Sequence, residues 1–398
     1  MKKTICIAGK NEVAVNGLAY VLAHYPDHQI VCLPNATDVG SDTWQPSLRR
    51  FCRQNDIREV RLCDLYDVED LVFVSLEYAE IIDPGRFSSN ALFNIHFSLL
   101  PKYKGMYTSA LPLLNGEVES GVTLHRIERG IDTGDIIAQL SLELGLYDTA
   151  RDLYFKSMDG AFRLFSSTIQ SLISGTFTAV PQSAIGASYF SKAAIDYSRL
   201  AISFRKTAFE VHNQFRAYTF REYQMPEYAG WQIARTEITG VKSRMPPGVI
   251  VRENAVLFQV STIDYDILLF KDYYPQFWSA AASGNLDQLN ASIENIEDVN
   301  LRNGNGWAAL AIAAYHGHED VIARLLAVGA NVQVTNYKGT TVLMYAFSHY
   351  ESSGRMQPFM MLLAHGCDPQ ARDKAGKSVA DYMRERACHD LLHLIDAT

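Results

Sequence analysis

No two of the six cysteines (Cys6, Cys32, Cys52, Cys63, Cys367 and Cys388) stand close together. Without a CxxC or a zinc-ligand spacing, neither a disulfide scaffold nor a metal site is indicated, and reduced thiols in a cytoplasmic protein are expected. Basic residues do not dominate either. The 36 Lys and Arg face 44 Asp and Glu, for a formal charge of −8, which weighs against a nucleic-acid partner because tracking a phosphate backbone needs a cationic face. No run approaches the roughly 20 apolar residues of a membrane span. The stretch up to Gly9 is basic and then apolar, like a signal peptide, but Lys10, Asn11 and Glu12 interrupt it, and it reads as a first strand. Neither GxGxxG nor GxxxxGK[ST] occurs, so no dinucleotide or P-loop site is indicated.

What is present is a chain of 398 residues, 48% apolar and 20% charged, the composition of a globular protein of two or three domains. Residues 1–185 alternate short apolar runs with helical patterns. Strands are expected at 5–8, 30–33, 59–63, 71–75 and 92–96, and helices at 13–24, 46–55 and 149–174. This rhythm predicts an α/β domain with a mostly parallel, Rossmann-like sheet, whose sites lie at the carboxyl ends of strands. Residues 186–272 change character. A helix over 204–213 and strands over 231–236 and 249–260 predict a small mixed α+β subdomain.

From residue 273 onward the chain repeats. Ser283-Gly284-Asn285-Leu286-Asp287 returns 33 residues later as His316-Gly317-His318-Glu319-Asp320. Leu325-Leu326-Ala327-Val328-Gly329-Ala330 returns after 37 residues as Leu362-Leu363-Ala364-His365-Gly366-Cys367, four residues being inserted near 351–354. A 33-residue period closing on Leu-Leu-x-x-Gly resembles ankyrin repeats, an all-α array for 273–398 with divergent ends at 274–300 and 374–395.

The chemistry-bearing stretch is Asn94-Ile95-His96-Phe97-Ser98-Leu99-Leu100-Pro101, where an amide and an imidazole lie two residues apart as a strand gives way to a loop. Gly130-Ile131-Asp132-Thr133-Gly134-Asp135-Ile136 follows 36 residues on. Acyl transfer to an amine builds negative charge on an oxygen and releases a proton, and an amide N–H and an imidazole meet those needs. Together with the Ser-Leu-Leu-Pro-x-x-x-Gly form of 98–105, these motifs resemble the signature of the folate-dependent formyltransferases. The resemblance implies Asn94 on the oxyanion, His96 stabilising the same charge or accepting the amine proton, and Asp132 orienting His96. It implies N10-formyltetrahydrofolate as cofactor, leaving as tetrahydrofolate and packed beside 71–82 and 130–137 with Tyr78 and Asp135 as contacts, and no metal.

The 9–14 segment and the run Phe215-Arg216-Ala217-Tyr218-Thr219-Phe220-Arg221-Glu222-Tyr223 resemble the sugar N-formyltransferases, some of which carry ankyrin repeats. The acceptor implied is a dTDP-linked amino-dideoxyhexose, favoured as the 3-amino-3,6-dideoxy sugar, for O-antigen synthesis. A 4-amino sugar is an alternative acceptor, and an inactive scaffold whose repeats bind a protein is an alternative role. A diphosphate needs cations and a base needs a flat apolar face, so Lys10, Asn11, Lys102, Lys104 and Arg216 are candidates for the phosphates or sugar. Tyr218, Phe220 and Tyr223 are candidates for the thymine, and Tyr107 for the hexose. Trp307, at a variable repeat tip, is a candidate with His316, Tyr345 and His349 for a second nucleotide sugar; packing or a protein partner are its alternatives. The subdomain is expected to make a homodimer contact.

Overall fold

The computed structural model describes residues 2–395. Its chain contacts divide into two units with the boundary between Phe270 and Lys271, the short Asp42–Trp44 stretch being counted with the second.

The first unit is built on a seven-stranded sheet. Its strands are β1 (Thr4–Gly9), β2 (Gln29–Pro34), β3 (Arg58–Glu59), β4 (Leu71–Leu76), β5 (Leu92–His96), β7 (Glu119–Arg126) and β8 (Ile136–Glu143), with the small pair β6 (Lys104–Gly105) and β9 (Tyr189–Phe190) beside it. The order is β3-β2-β1-β4-β5-β7-β8, parallel from β3 to β5 and antiparallel across β5, β7 and β8. Period-2 alternation divides its apolar residues between two cores. Ile5, Ile7, Val72 and Val74 face one core with α1 (Asn11–His24) and α4 (Ala150–Ser174). Cys6, Ala8, Val31 and Phe73 face the other. Covered on both faces, β4 is buried along its whole length, as parallel strands in α/β proteins are. Thr149 opens α4 in a reciprocal capping box with Asp152, and Gly175 closes it at φ +71°. The expected strand over 59–63 is only two residues long. Asp64 accepts the Arg61 N–H and winds 62–65 into a 3₁₀ turn instead. Short helices α2 (Leu48–Gln54) and α3 (Leu111–Leu114) complete this part. The sulfurs of Cys32, on β2, and Cys52, on α2, are paired, contrary to the expectation of free thiols throughout. Twenty residues of separation hid the pair.

A second, antiparallel sheet follows, in the order β10 (Glu227–Tyr228), β11 (Trp231–Lys242), β14 (Tyr265–Lys271), β13 (Leu257–Val260), β12 (Ile250–Glu253). It packs Ile233, Phe258, Ile267 and Leu269 on Val211 and Phe215 of α5 (Ala208–Tyr218). The helix begins four residues later than expected because the Thr207–Glu210 capping box sets its start. The single strand expected over 249–260 is a hairpin, since the Asn254 side chain accepts from the N–H groups of Val256 and Leu257 and turns the chain.

The second unit consists of helix pairs: α6 (Tyr274–Ser283) and α7 (Leu286–Ile293), α8 (Ala309–His316) and α9 (Glu319–Ala327), α10 (Val342–Ser353) and α11 (Gln357–Ala364), α12 (Val379–Glu385) and α13 (His389–Ile395). Helix α8 lies between α6 and α10. Its residues Ala309 to Ala314 are therefore all buried, the pattern of a helix apolar all round. No helix among the described residues is long and apolar enough to cross a membrane.

Candidate active site

Strand β5 brings the amide and the imidazole to one place. Asn94 and His96 are two residues apart on a strand and so point to the same face. On one side β5 meets β4 in parallel, Ser75 opposite Asn94 and Leu76 opposite Ile95. On the other side β7 runs antiparallel, with His125 opposite Asn94. Asp132 stands in the turn between β7 and β8 at φ +53°, a left-handed conformation that a non-glycine residue adopts at some cost.

The carboxylate of Asp132 ties the group together. One oxygen is 3.4 Å from Asn94 Nδ2 and 3.5 Å from His125 Nε2. The other is 3.4 Å from His96 Nδ1 and accepts the Gly105 N–H at 2.9 Å. The loop carrying Gly105 is set by Ser98 Oγ donating to the Lys102 carbonyl and by Thr123 Oγ1 donating to the Ser98 carbonyl. Gly105 has φ +88°, and a Cβ there would lie 2.3 Å from the Phe190 carbonyl oxygen, so the loop needs glycine.

These contacts assign the protons. His96 Nε2 lies 2.8 Å from the Tyr103 carbonyl, which can only accept, so Nε2 carries the hydrogen and Nδ1 is the free lone pair of the neutral ring. Burial pushes the His96 pKa below its ordinary value, against the pull of Asp132. By the same logic His125 Nδ1 donates to the Arg126 carbonyl at 2.7 Å, leaving Nε2 to accept from Asn94 Nδ2 at 3.1 Å. The amide of Asn94 is thereby held with its NH2 edge toward His125 and Asp132. Burial works to raise the Asp132 pKa, but His125 and His96 in their protonated forms, with the Gly105 N–H, outweigh it and hold the carboxyl down at about 2. The arrangement supplies a fixed amide donor, a neutral ring nitrogen free to take a proton, and a permanent negative charge beside that ring.

A cavity of about 540 Å³ opens over this group. Residues 77–82 form one wall and 127–132 another, with Lys10 and Tyr107 at its margins. The side chain of Asn35 clamps the first wall, donating to the Glu77 carbonyl and accepting from Ala79 N–H. Apolar faces of Tyr78, Ile82, Ile127 and Ile131 beside so much main chain fit a flat heterocycle held by backbone groups.

Comparison with known proteins narrows the reading. Residues 53–169 match the formyl transferase family, and residues 277–373 match ankyrin repeats in three copies. The chain is 44% identical to the sugar 3-N-formyltransferase WlaRD, solved in the presence of dTDP and 5-N-formyltetrahydrofolate, over 68% of this chain and 98% of that one, with a TM-score of 0.64. It is 43% identical to the N-formyltransferase of Helicobacter canadensis, solved with folinic acid and dTDP-3-aminofucose, over 68% of this chain and 100% of that one, with a TM-score of 0.63. The methionyl-tRNA formyltransferase of Synechocystis sp. is 28% identical over 185 residues, 46% of this chain and 54% of that protein, so the chain spans about half the length of that relative. The chain belongs to the formyltransferase family.

Within this formyltransferase the other candidate residues divide. Lys10, Tyr78 and Tyr107 line the cavity of the trio. Tyr107 is held at φ +61°, donates to the Lys192 carbonyl and packs on Tyr197, which in turn meets Tyr218. Asn11 donates to Glu77 and to Tyr154. Tyr223 is exposed and packs on Phe220. Phe220 itself is buried against Tyr154 and offers no open face to a base. Arg216 is also no surface cation. It is buried and donates to Asn213 and to the carbonyls of Gly145 and Asp148, because the loop before α4 needs a donor for its carbonyls. Lys102 pairs with Glu117 beside a separate, smaller cavity, and Lys104 borders a shallow cleft with Ser188. Asp135 stands off the cavity wall, its carbonyl accepting from Arg126 N–H.

In the second unit Trp307 is half-buried with its ring 4.2 Å from that of Tyr345. Tyr345 is buried and accepts from Asn336, and His316 is exposed beside Tyr315. The His349 ring lies on Gly317, where Nε2 is buried without a hydrogen-bond partner.

Three site residues escape a reading of the sequence. His125 sits in β7, a strand not foreseen, and its place opposite Asn94 is a matter of register. Tyr154 lies five residues into α4 with nothing local to mark it. Glu77 alone carries a signal: it is a carboxylate at the carboxyl end of an apolar strand.

Proposed function

We propose that this formyltransferase moves the formyl group of N10-formyltetrahydrofolate to the 3-amino group of a dTDP-linked 3-amino-3,6-dideoxyhexose. The observation that carries this reading is the closure of Asn94, His96 and Asp132 around one cavity. Similarity to a sugar 3-N-formyltransferase over nearly the whole of that chain supports the choice of acceptor.

The folate would lie between the 77–82 and 127–132 walls and supplies the activated formyl carbon. Asn94 donates to the oxygen on which charge develops, releasing its long 3.4 Å contact with Asp132 to do so. His96 has spent its N–H on Tyr103, so its part is to accept: Nδ1 takes a proton from the attacking amine, and Asp132 steadies the imidazolium that results. The ring then returns that proton to the departing nitrogen. Lys10 stands at the cavity margin for a phosphate or the sugar, and Tyr223 offers an exposed ring to the base.

The experiment is formyl transfer with purified protein and N10-formyltetrahydrofolate, comparing dTDP-linked 3-amino and 4-amino dideoxyhexoses. The expected result is a kcat/KM at least ~100-fold higher for the 3-amino sugar, since a nitrogen displaced by one ring position loses the near-attack geometry. Equal or reversed rates would transfer the assignment to the 4-amino class. No turnover with either sugar would favour the scaffold reading. In the repeat unit we propose a second flat ligand, with the half-buried Trp307 and the exposed His316 as its contacts. Loss of nucleotide-sugar binding outside the catalytic cavity in Trp307→Ala tests it, and unchanged stoichiometry would retire it.

A further inference from the structure

The ends of three adjacent strands place three ionisable groups in one row. Gly9 pairs with Leu76 across β1 and β4, and Leu76 with Ile95 across β4 and β5. The next residues in register are Lys10, Glu77 and His96. Neighbouring strands lie about 4.8 Å apart, so the row spans roughly 10 Å. Gly9 allows so close an approach: a Cβ there would meet the Leu76 carbonyl oxygen at 1.8 Å.

Glu77 is built into this row at a cost. Both it (φ +61°) and its partner Asn11 (φ +62°) hold left-handed conformations, the strain that clusters at functional positions. One carboxylate oxygen, Oε2, accepts from Tyr154 Oη at 2.8 Å and from Asn11 Nδ2 at 3.0 Å. No hydrogen bond within the described residues engages the other, and Glu77 lines the cavity shared with Asn94 and His96. The charged and titratable groups around Glu77 are Lys10 after β1, Tyr154 on α4 and Tyr223 in the loop after α5, with His96 next in register on β5.

The acceptor's chemistry needs such a group. An amine of ordinary basicity, pKa about 8, arrives mostly as ammonium at neutral pH, and an ammonium has no lone pair with which to attack. Asp132 is already committed: one oxygen accepts from Asn94 Nδ2 and the other from the Gly105 N–H, and its charge lies against the His96 and His125 rings. The remaining carboxylates on the cavity wall, Glu80 and Glu128, are exposed to solvent.

Resting on the reading of the protein as an amino-sugar formyltransferase, we propose that Glu77 is the ammonium receiver: its free oxygen binds the acceptor's charged amine and takes the first proton. The protons then balance. The ammonium gives one to Glu77, which later releases it to solvent. The neutral nitrogen bonds to the formyl carbon, and the bond from that carbon to N10 breaks. The second proton passes through His96 to N10, and the third stays on the product amide. Burial raises the Glu77 pKa above that of an ordinary carboxyl, against Lys10, Tyr154 and Asn11, which makes it a more willing proton acceptor.

The test is the pH profile of Glu77→Gln, an isosteric change. Wild type is expected to hold a flat kcat/KM between pH 6 and 8. E77Q, which must wait for free amine, is expected to be about tenfold slower at pH 7 and to gain about tenfold per pH unit until the amine itself has titrated near pH 8. A flat E77Q profile, or an undiminished rate, would overturn the proposal. A second measurement needs no variant: in the tetrahydrofolate complex, wild type should bind the amino-sugar nucleotide about tenfold or more tightly than its 3-hydroxy counterpart at pH 7. Equal affinities would overturn it too. The two ideas separate cleanly, since wild-type turnover with an indifferent E77Q sinks only the role of Glu77, whereas an inactive wild type removes the functional reading beneath it.

Discussion

The two units of this chain spend their stability differently. In the first, His96, His125, Asp132 and Glu77 are wholly or largely enclosed polar groups, held by hydrogen bonds to loops, and Asn11, Glu77, Tyr107 and Asp132 all sit at positive φ. In the second, the core is Ala308 to Ala314, Val321, Ile322, Leu325 and their successors, and the left-handed positions that end α6, α8 and α10 are glycines. One unit stores strain and desolvated charge where chemistry needs them; the other stacks apolar helices with little conflict. Local structure bought at a cost marks a site more reliably than burial alone.

The largest expected effect tests the first half of that contrast. Asp132→Asn should lower kcat by ~10³-fold or more, because the charge that steadies the His96 imidazolium is gone. Its circular dichroism and melting should stay close to wild type. A variant that loses activity only because it unfolds would break the comparison.

Leu325→Ala probes the other unit. Leu325 is fully buried, so a loss of about 3 kcal/mol is expected from transfer and cavity terms, read as a lower urea midpoint. A shift confined to one of two unfolding transitions would show that the units melt separately.

His125→Ala should cost about tenfold in kcat with little change in KM, since it frees the Asn94 amide to rotate rather than removing a group from the substrate. Steady-state kinetics decides, and a loss carried by KM would mean that His125 shapes the cavity instead.

The smallest effect concerns the cost of Glu77. A carboxyl whose pKa is raised on folding binds its proton more tightly in the native state, so native stability falls as pH rises through the unfolded value and the raised folded one. E77Q carries no charge to desolvate and should melt slightly above wild type at pH 7, with the difference vanishing at pH 3. An E77Q protein less stable than wild type at pH 7 would mean that the hydrogen bonds from Asn11 and Tyr154 outweigh desolvation.

Much of the fold is legible in local sequence. The limits of β5 matched residue for residue, and α4 was foreseen from Thr149 and Gly175, because caps and periodic apolar runs are local signals. The ankyrin-like period could be read for the same reason. The 59–63 strand failed because Asp64 reached back to Arg61, a side-chain contact that outcompeted an apolar run too short to resist it. Arg216 and Phe220 pack inward rather than facing a ligand, because charge and aromaticity say nothing about which way a helix end is packed.

The sequence by itself determined the chemistry on offer: an amide, an imidazole and a carboxylate at strand ends and turns, followed by a repeating array. These follow from residue type, spacing and cap residues, all of which act within a few positions of chain. Only the tertiary structure decided that His125 stands opposite Asn94, that Tyr103 takes the His96 proton donor, and that Lys10, Glu77 and His96 share a row. Those are facts of strand register and loop closure. Register is set by which apolar faces the whole sheet buries at once, and no short stretch of sequence contains that sum.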